Sequence, residues 1–108
     1  MEMFDVFIAN VSWGSGGKTR PVLILEQKVK VVTVFNITTQ YANKSDIIRS
    51  KYFKINDWQQ IGLDKQSYID TNGTITLPLS SVDVKNPLGK LTEYDVQKLL
   101  EFLEENKA

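Results

Sequence analysis

The chain contains no cysteine and no histidine. It therefore has no disulfide, no thiolate or imidazole metal ligand, no cysteine nucleophile and no histidine to act as acid or base. No stretch approaches the roughly 18 consecutive apolar residues that a membrane-spanning helix needs. The segment Met1–Asp5 lacks the basic residues that open a secretory signal. We therefore expect a cytoplasmic protein with no membrane contact.

Length and charge add further limits. The 108 residues are enough for one domain, which we expect to span residues 1–108. The 13 basic and 13 acidic side chains cancel, so no net charge attracts the chain to nucleic acid or to an anionic membrane. The charges are unevenly spread, because residues 1–60 carry eight basic and five acidic groups and residues 61–108 carry five and eight. This leaves two interpretations open, a local basic face and ordinary scatter.

The first two thirds of the chain are rich in residues that favour β-strands. The predicted strands are Phe4–Val11, Arg20–Leu25, Val29–Ile37, Lys51–Ile55, Gln66–Asp70 and Thr74–Leu77. The last two flank Asn72-Gly73, a favoured tight-turn sequence, so we expect them to form a hairpin.

The C-terminal segment has the pattern of a helix. Thr92 is a good N-cap residue, and an apolar stripe follows at helical spacing. The members of that stripe are Val96, Leu99, Leu100 and Leu103. Many short strands and one terminal helix predict a mainly β fold, a small curved barrel closed by a helix.

The first segment that could carry chemistry runs from Trp13 to Ile24. Its glycines predict a flexible loop at 12–17 that leads into a strand, with Arg20 at the junction. Backbone N–H groups at Gly16 and Gly17, together with Lys18, suit an anion, and the Arg20 fork suits a phosphate. A strand rather than a helix follows, so this is not a nucleoside-triphosphate P-loop. The alternative is a surface loop beside a structural arginine.

The second such segment is Asn36-Ile37-Thr38-Thr39-Gln40, at the end of the longest predicted strand. A hydroxyl at a strand end can donate to a phosphate or to a departing oxygen. Threonine is also common in strands for reasons of packing alone, so this segment by itself predicts little.

Taken together, these segments resemble the PemK/MazF family of toxins. The similar elements are the glycine-rich loop before Arg20-Pro21-Val22-Leu23-Ile24, the segment Asn36-Ile37-Thr38-Thr39-Gln40 after a valine-rich strand, Phe4-Asp5-Val6, Gly89-Lys90-Leu91-Thr92 and the terminal amphipathic helix. The resemblance extends over nearly the whole chain, and the junction of the glycine loop with Arg20-Pro21 is its most specific part.

The resemblance implies a small SH3-like barrel with a C-terminal helix, assembled as a homodimer. It implies the toxin of a toxin–antitoxin pair, an endoribonuclease that cleaves single-stranded mRNA without metal or other cofactor and is neutralised by a cognate antitoxin. Arg20 and Thr38 match the family's catalytic arginine and threonine. The candidate substrate-binding residues are Trp13, Gly16, Gly17, Lys18, Thr19, Thr39, Gln40 and Asp70.

The chain also departs from the family pattern. Better-known members often carry an acidic residue and an arginine in or near the segment that here runs from Asp70 to Thr76, and this chain has Asp70 but no arginine there. Some members also carry a histidine in the first loop, and this chain has none. These departures predict weaker catalysis or a shifted cleavage preference. The connection from Thr38 to Ser50 also has its own sequence, so no RNA recognition triplet is transferred from the family. Two alternatives stay open: a binding toxin of the gyrase-poison type, and an SH3-like interaction module without catalytic activity.

Overall fold

A computed structural model describes residues 1–13 and 16–107, and these form a mainly β fold with one long helix at the C-terminal end. In chain order the elements are β1 (Asp5–Trp13), β2 (Gly16–Gln27), β3 (Val31–Thr38), the short helix α1 (Asp46–Arg49), β4 (Tyr52–Lys54), β5 (Tyr68–Pro78), a 3₁₀ turn (Leu79–Ser81), β6 (Gly89–Lys90) and α2 (Glu93–Glu105). No helix within these described ranges is long and apolar enough to cross a membrane.

The described strands make one antiparallel sheet in the order β4-β5-β3-β2-β1-β6. The pairing of β2 with β3 shifts between Ile24 and Glu26, and that of β3 with β5 shifts between Val34 and Asn36. Bulges of this kind bend a strand and increase its twist. The sheet consequently curls into a half-barrel, and the predicted fold of a small β-barrel with a C-terminal helix is confirmed.

Both faces of the curled sheet are apolar in the described part of the chain. Successive side chains in a strand point to opposite faces, so neighbouring residues join different cores. The first core packs against α2 and contains Val6, Leu23, Phe35, Ile37, Phe53, Ile55, Ile61, Ile69, Leu91 and Leu99. The second core lies on the other face and contains Phe7, Ala9, Val11, Val22, Ile24, Val32, Val34, Leu77 and Val82.

A buried carboxylate fixes the start of α2. Thr92 caps the helix as predicted, and its Oγ1 accepts a hydrogen bond from the Asp95 backbone N at 3.2 Å. Asp95 is fully buried. Its carboxylate accepts hydrogen bonds from Asn56 N at 3.0 Å, Asn56 Nδ2 at 2.8 Å and Asp57 N at 2.8 Å. The helix is thereby joined to the turn that follows β4.

The predicted hairpin around Asn72-Gly73 is wrong, because one strand, β5, runs through it. Along β3 the pairing advances from Val34 to Asn36, while the partners on β5 go from Ile75 to Asp70, so residues 71–74 bulge out of the ladder. Asp70 Oδ1 accepts hydrogen bonds from Asn72 N and Asn72 Nδ2, both at 2.9 Å. This local bonding holds the bulge without the positive φ angles that a tight hairpin needs.

Two further expectations are corrected. The glycine loop predicted at 12–17 is wrong for its described residues, because Ser12 and Trp13 continue β1 and pair with Gly17 and Gly16 of β2. Leu100 was expected in the core-facing stripe of α2 but is 51% exposed, whereas Leu99 is fully buried. Adjacent helical residues point about 100° apart, so the two leucines cannot face the same core.

We predict that Asp95→Ala lowers the free energy of unfolding by about 3 kcal/mol, since it removes a buried carboxylate that accepts three hydrogen bonds. Chemical denaturation followed by circular dichroism measures this change. Glu105→Ala, on the exposed side of the same helix, is the matched control and should stay within about 0.5 kcal/mol of wild type. Equal stability of the two variants would contradict a role for Asp95 in docking α2.

Candidate active site

The candidate site begins with a row of paired residues, one on each of four neighbouring strands. Val22 on β2 is paired with Asn36 on β3, Asn36 with Asp70 on β5, and Asp70 with Tyr52 on β4. Paired residues in an antiparallel ladder point to the same face, so this row leads from the buried Val22 to polar side chains. It marks the limit of the second core on that face.

The next row of residues on the same face contains Arg20 and Thr38, the two residues with predicted catalytic roles. Arg20 and Thr38 lie two residues beyond Val22 and Asn36, which keeps them on the same face of their strands. Extending the β2–β3 register by those two residues puts Arg20 opposite Thr38. Thr38 is paired in turn with Tyr68 of β5. The ladder therefore aligns a cation and a hydroxyl on neighbouring strands.

These two rows of residues lie beside a cleft of about 370 Å³. Its described lining consists of Lys18, Thr19, Arg20, Pro21, Ile37, Thr38, Thr39, Gln40, Lys44, Tyr52, Ser67 and Asp70. Three of these residues are cationic and one is a carboxylate. The wall of the cleft is thus positively charged although the chain as a whole is neutral, and it suits an anionic ligand.

Thr38 is oriented by the backbone that follows it. Its Oγ1 accepts a hydrogen bond from Gln40 N at 3.0 Å. A hydroxyl that accepts in this way still has its own hydrogen to donate. Thr38 can therefore offer a positioned O–H donor to a group bound in the cleft.

Tyr52 is a site residue that the sequence pattern did not reveal. As an aromatic residue in a regular strand it is expected in the core, yet it lines the cleft while the adjacent Phe53 fills the first core. Burial raises the pKa of the Tyr52 phenol, the charge of Asp70 raises it further, and the charge of Arg20 opposes both. The phenol is therefore within electrostatic reach of both residues. Strand alternation through Tyr52-Phe53-Lys54 was the signal that could have separated the two aromatic residues.

A group of tyrosines stands beside the cleft. The Tyr41 and Tyr68 rings stack with centroids 4.3 Å apart and 8° between their planes. Tyr41 also lies 6.3 Å from the Tyr52 ring, and the Arg49 guanidinium is 5.7 Å from the Tyr41 centroid. These contacts join the connection after β3 to strands β4 and β5. They hold in place the connection that carries Lys44 into the cleft. The sequence offered no periodic signal for Lys44.

Most of the predicted site residues come together. Arg20 and Thr38 share the cleft lining with the predicted binding residues Lys18, Thr19, Thr39, Gln40 and Asp70. Gly16 and Gly17 instead pair with β1 and do not belong to the described lining. The side chain of Trp13 lies outside the described part of the chain, so its predicted contact with a base stays a prediction.

Comparison with known proteins assigns the chain to a family. The sequence matches the family model described as PemK-like, MazF-like toxin of type II toxin–antitoxin system over residues 2–106. The chain belongs to this family, whose members are generally endoribonucleases. Membership implies an antitoxin partner and an RNA substrate.

A solved structure supports the fold. The Mycobacterium tuberculosis toxin MazF-mt6 is similar with a TM-score of 0.68 and 23% sequence identity, covering 94% of this chain and 93% of that one. No curated protein matches the chain at a significant level.

We predict that Lys18→Ala and Lys44→Ala each weaken binding of a single-stranded RNA oligonucleotide made uncleavable by 2′-O-methylation. With K as the association constant, each variant should make the slope of log K against log salt concentration less negative by about 0.7, the value for one lost phosphate contact on a single strand. Fluorescence anisotropy over a salt series measures the slope. Lys85→Ala, an exposed lysine outside the cleft lining, is the control. Equal slopes for all three variants would show that the nucleic acid does not occupy the cleft.

Proposed function

We propose that this protein is a metal-independent, sequence-specific endoribonuclease that acts as the toxin of a toxin–antitoxin pair. It cleaves single-stranded RNA by attack of a 2′-hydroxyl on the adjacent phosphate, giving a cyclic phosphate end and a 5′-hydroxyl end. The observation that carries the proposal is that Arg20 and Thr38 line one positively charged cleft from neighbouring strands.

Arg20 supplies the electrostatic part of the reaction. Negative charge builds up on the phosphoryl oxygens as the 2′-oxygen attacks, and a guanidinium fork aimed at them stabilises that charge. Arginine keeps its proton throughout, so Arg20 acts as a clamp rather than as a proton carrier. Its place on the paired strand β2 fixes the backbone position from which the guanidinium reaches the cleft.

Thr38 supplies orientation. With its Oγ1 already held by Gln40 N, the hydroxyl hydrogen can be donated to a non-bridging phosphate oxygen. A phosphate fixed at two points, by Arg20 and by Thr38, is held in line for attack by the 2′-oxygen. This chemistry uses neither histidine nor metal, in agreement with the composition of the chain.

Recognition of the RNA falls to the rest of the cleft. Lys18 and Lys44 follow the phosphate backbone, and Thr19, Thr39 and Gln40 present groups that can bond to base edges. Single-stranded RNA is read through bases that are unstacked and then bound on their edges or stacked on aromatic rings. Trp13, at the end of β1, is proposed as one such ring.

The family assignment extends the proposal to partners. We assign to the protein a cognate antitoxin that covers the cleft, a homodimeric state and a cytoplasmic location. The molar mass in solution, measured by light scattering, tests the dimer. A monomeric mass at micromolar concentration would contradict it.

We predict that the purified protein, in EDTA, cuts a long unstructured RNA at discrete positions. Arg20→Ala should lower the cleavage rate by about 10²- to 10³-fold or more, the cost of losing one charge-stabilising donor. Mapping of the cuts and their end groups should give cyclic phosphate and 5′-hydroxyl ends. Arg20→Ala should also abolish growth arrest while leaving the circular dichroism spectrum unchanged. Intact RNA from folded wild-type protein, across several RNAs, would instead favour a binding toxin of the gyrase-poison type or an inactive SH3-like module.

We predict a smaller loss for Thr38→Val, roughly 10- to 10²-fold, because it removes a hydrogen bond to a charged phosphate oxygen, worth about 1.5–3 kcal/mol, while keeping the branched shape that suits β3. Single-turnover cleavage rates measure the effect, with Thr76→Val on the exposed side of β5 as control. A loss as large as that of Arg20→Ala would show that Thr38 takes part in the chemical step itself.

A further inference from the structure

The proposed reaction needs a proton donor, and the residues considered so far do not supply one well. Cleavage leaves the 5′-oxygen as an alkoxide unless a proton reaches it as the P–O bond breaks. Arg20 is already used to stabilise the charge on the phosphoryl oxygens. Lys18 is exposed at the edge of the cleft, and Lys44 is carried by a loop rather than by a strand.

Tyr52 is better placed for this task. It lies on β4 directly opposite Asp70 on β5, and both side chains line the cleft that contains Arg20 and Thr38. The ring is half-buried and packs near Tyr41, which is itself stacked on Tyr68. A phenol held in this way keeps a fixed position on the cleft wall.

The neighbours of Tyr52 favour its protonated form. Burial and the negative charge of Asp70 raise its pKa, against the opposing charge of Arg20. At neutral pH the residue is therefore a phenol, with a hydrogen to donate. The Asp70 carboxylate is oriented by the hydrogen bonds that its Oδ1 accepts from Asn72. The cleft thus places a proton donor beside a proton acceptor.

We propose that Tyr52 is the general acid that protonates the departing 5′-oxygen, a role that rests on the ribonuclease function proposed above. The 2′-oxygen forms its bond to phosphorus and passes its proton to Asp70. The bond from phosphorus to the 5′-oxygen breaks, and that oxygen takes the phenolic proton of Tyr52. After the products leave, Asp70 returns the proton to the Tyr52 phenolate, so that no proton is gained or lost over the cycle.

The test compares Tyr52→Phe on two substrates that differ only in the leaving atom. One is an RNA cut by the wild type, and the other carries a bridging sulfur in place of the 5′-oxygen at the cleaved position. A thiolate leaves without protonation, because a thiol is a far stronger acid than an alcohol. Tyr52→Phe should cleave the oxygen substrate at least about 10²-fold more slowly than wild type, and the sulfur substrate at nearly the wild-type rate.

Two controls separate this role from other causes. Tyr41→Phe removes a phenol from the same group of tyrosines but outside the cleft lining, and it should cleave both substrates like wild type. Arg20→Ala should be slow on both, because charge stabilisation at phosphorus is needed whichever atom leaves. An equal loss on both substrates for Tyr52→Phe, or no loss on either, would overturn the role of Tyr52 while leaving the nuclease itself established. Failure of the wild type to cleave either substrate would overturn the proposed function together with this role.

Discussion

The antiparallel register between β2, β3, β5 and β4 is the constraint on which the site depends. Successive side chains of a strand point to opposite faces of the sheet. Ile37 and Phe53 fill the first core beside Thr38 and Tyr52 of the cleft. A slip of one residue in any of these strands would bury the polar groups and expose the apolar ones. Stability and the arrangement of the site therefore depend on the same pairing.

The bulges give the sheet its curvature and leave the strand pairing regular at the residues beside the cleft. The shift between β3 and β5 falls between Val34 and Asn36, and regular pairing resumes from Asn36 to Thr38. The extra residues of β5 are taken up in the bulge at 71–74, which begins immediately after Asp70. The carboxylate that bends the chain there is the same one that lines the cleft. One residue thus serves both the shape of the sheet and the charge pattern of the site.

The charges are arranged locally. At physiological ionic strength a charge is screened over roughly 8 Å, so a neutral chain gives little long-range attraction, while cations within one cleft still act together. Lys18, Arg20 and Lys44 come from β2 and from the connection after β3, and only folding brings them to the same wall. No acidic residue of α2 belongs to the described lining of the cleft, and Asp95 is used inside the fold. The excess of basic residues in the first half of the chain is consistent with this local basic face.

Sequence patterns predicted the mainly β class, the C-terminal helix with its Thr92 cap, and the segments that carry Arg20 and Thr38, because these depend on local periodicity and on short motifs. They did not predict the continuous β5, because Asn72-Gly73 favours a tight turn locally while the pairing of both halves with β3 favours one bulged strand. They missed Tyr52 and Lys44 as site residues, because their positions follow from β4–β5 register and from a connection without periodicity. The exposure of Leu100 likewise depends on how α2 meets the sheet and not on its own pattern.

In the proposed reaction a phosphate of single-stranded RNA lies between Arg20 of β2 and Thr38 of β3. The most direct measurement is a crystal structure of the protein with a single-stranded oligonucleotide that lacks 2′-hydroxyls and so cannot be cleaved. We expect a phosphate within hydrogen-bonding distance of both the Arg20 guanidinium and Thr38 Oγ1, with the flanking nucleotides along Lys18 and Lys44. An oligonucleotide bound on another face of the sheet, with the cleft unoccupied, would contradict it.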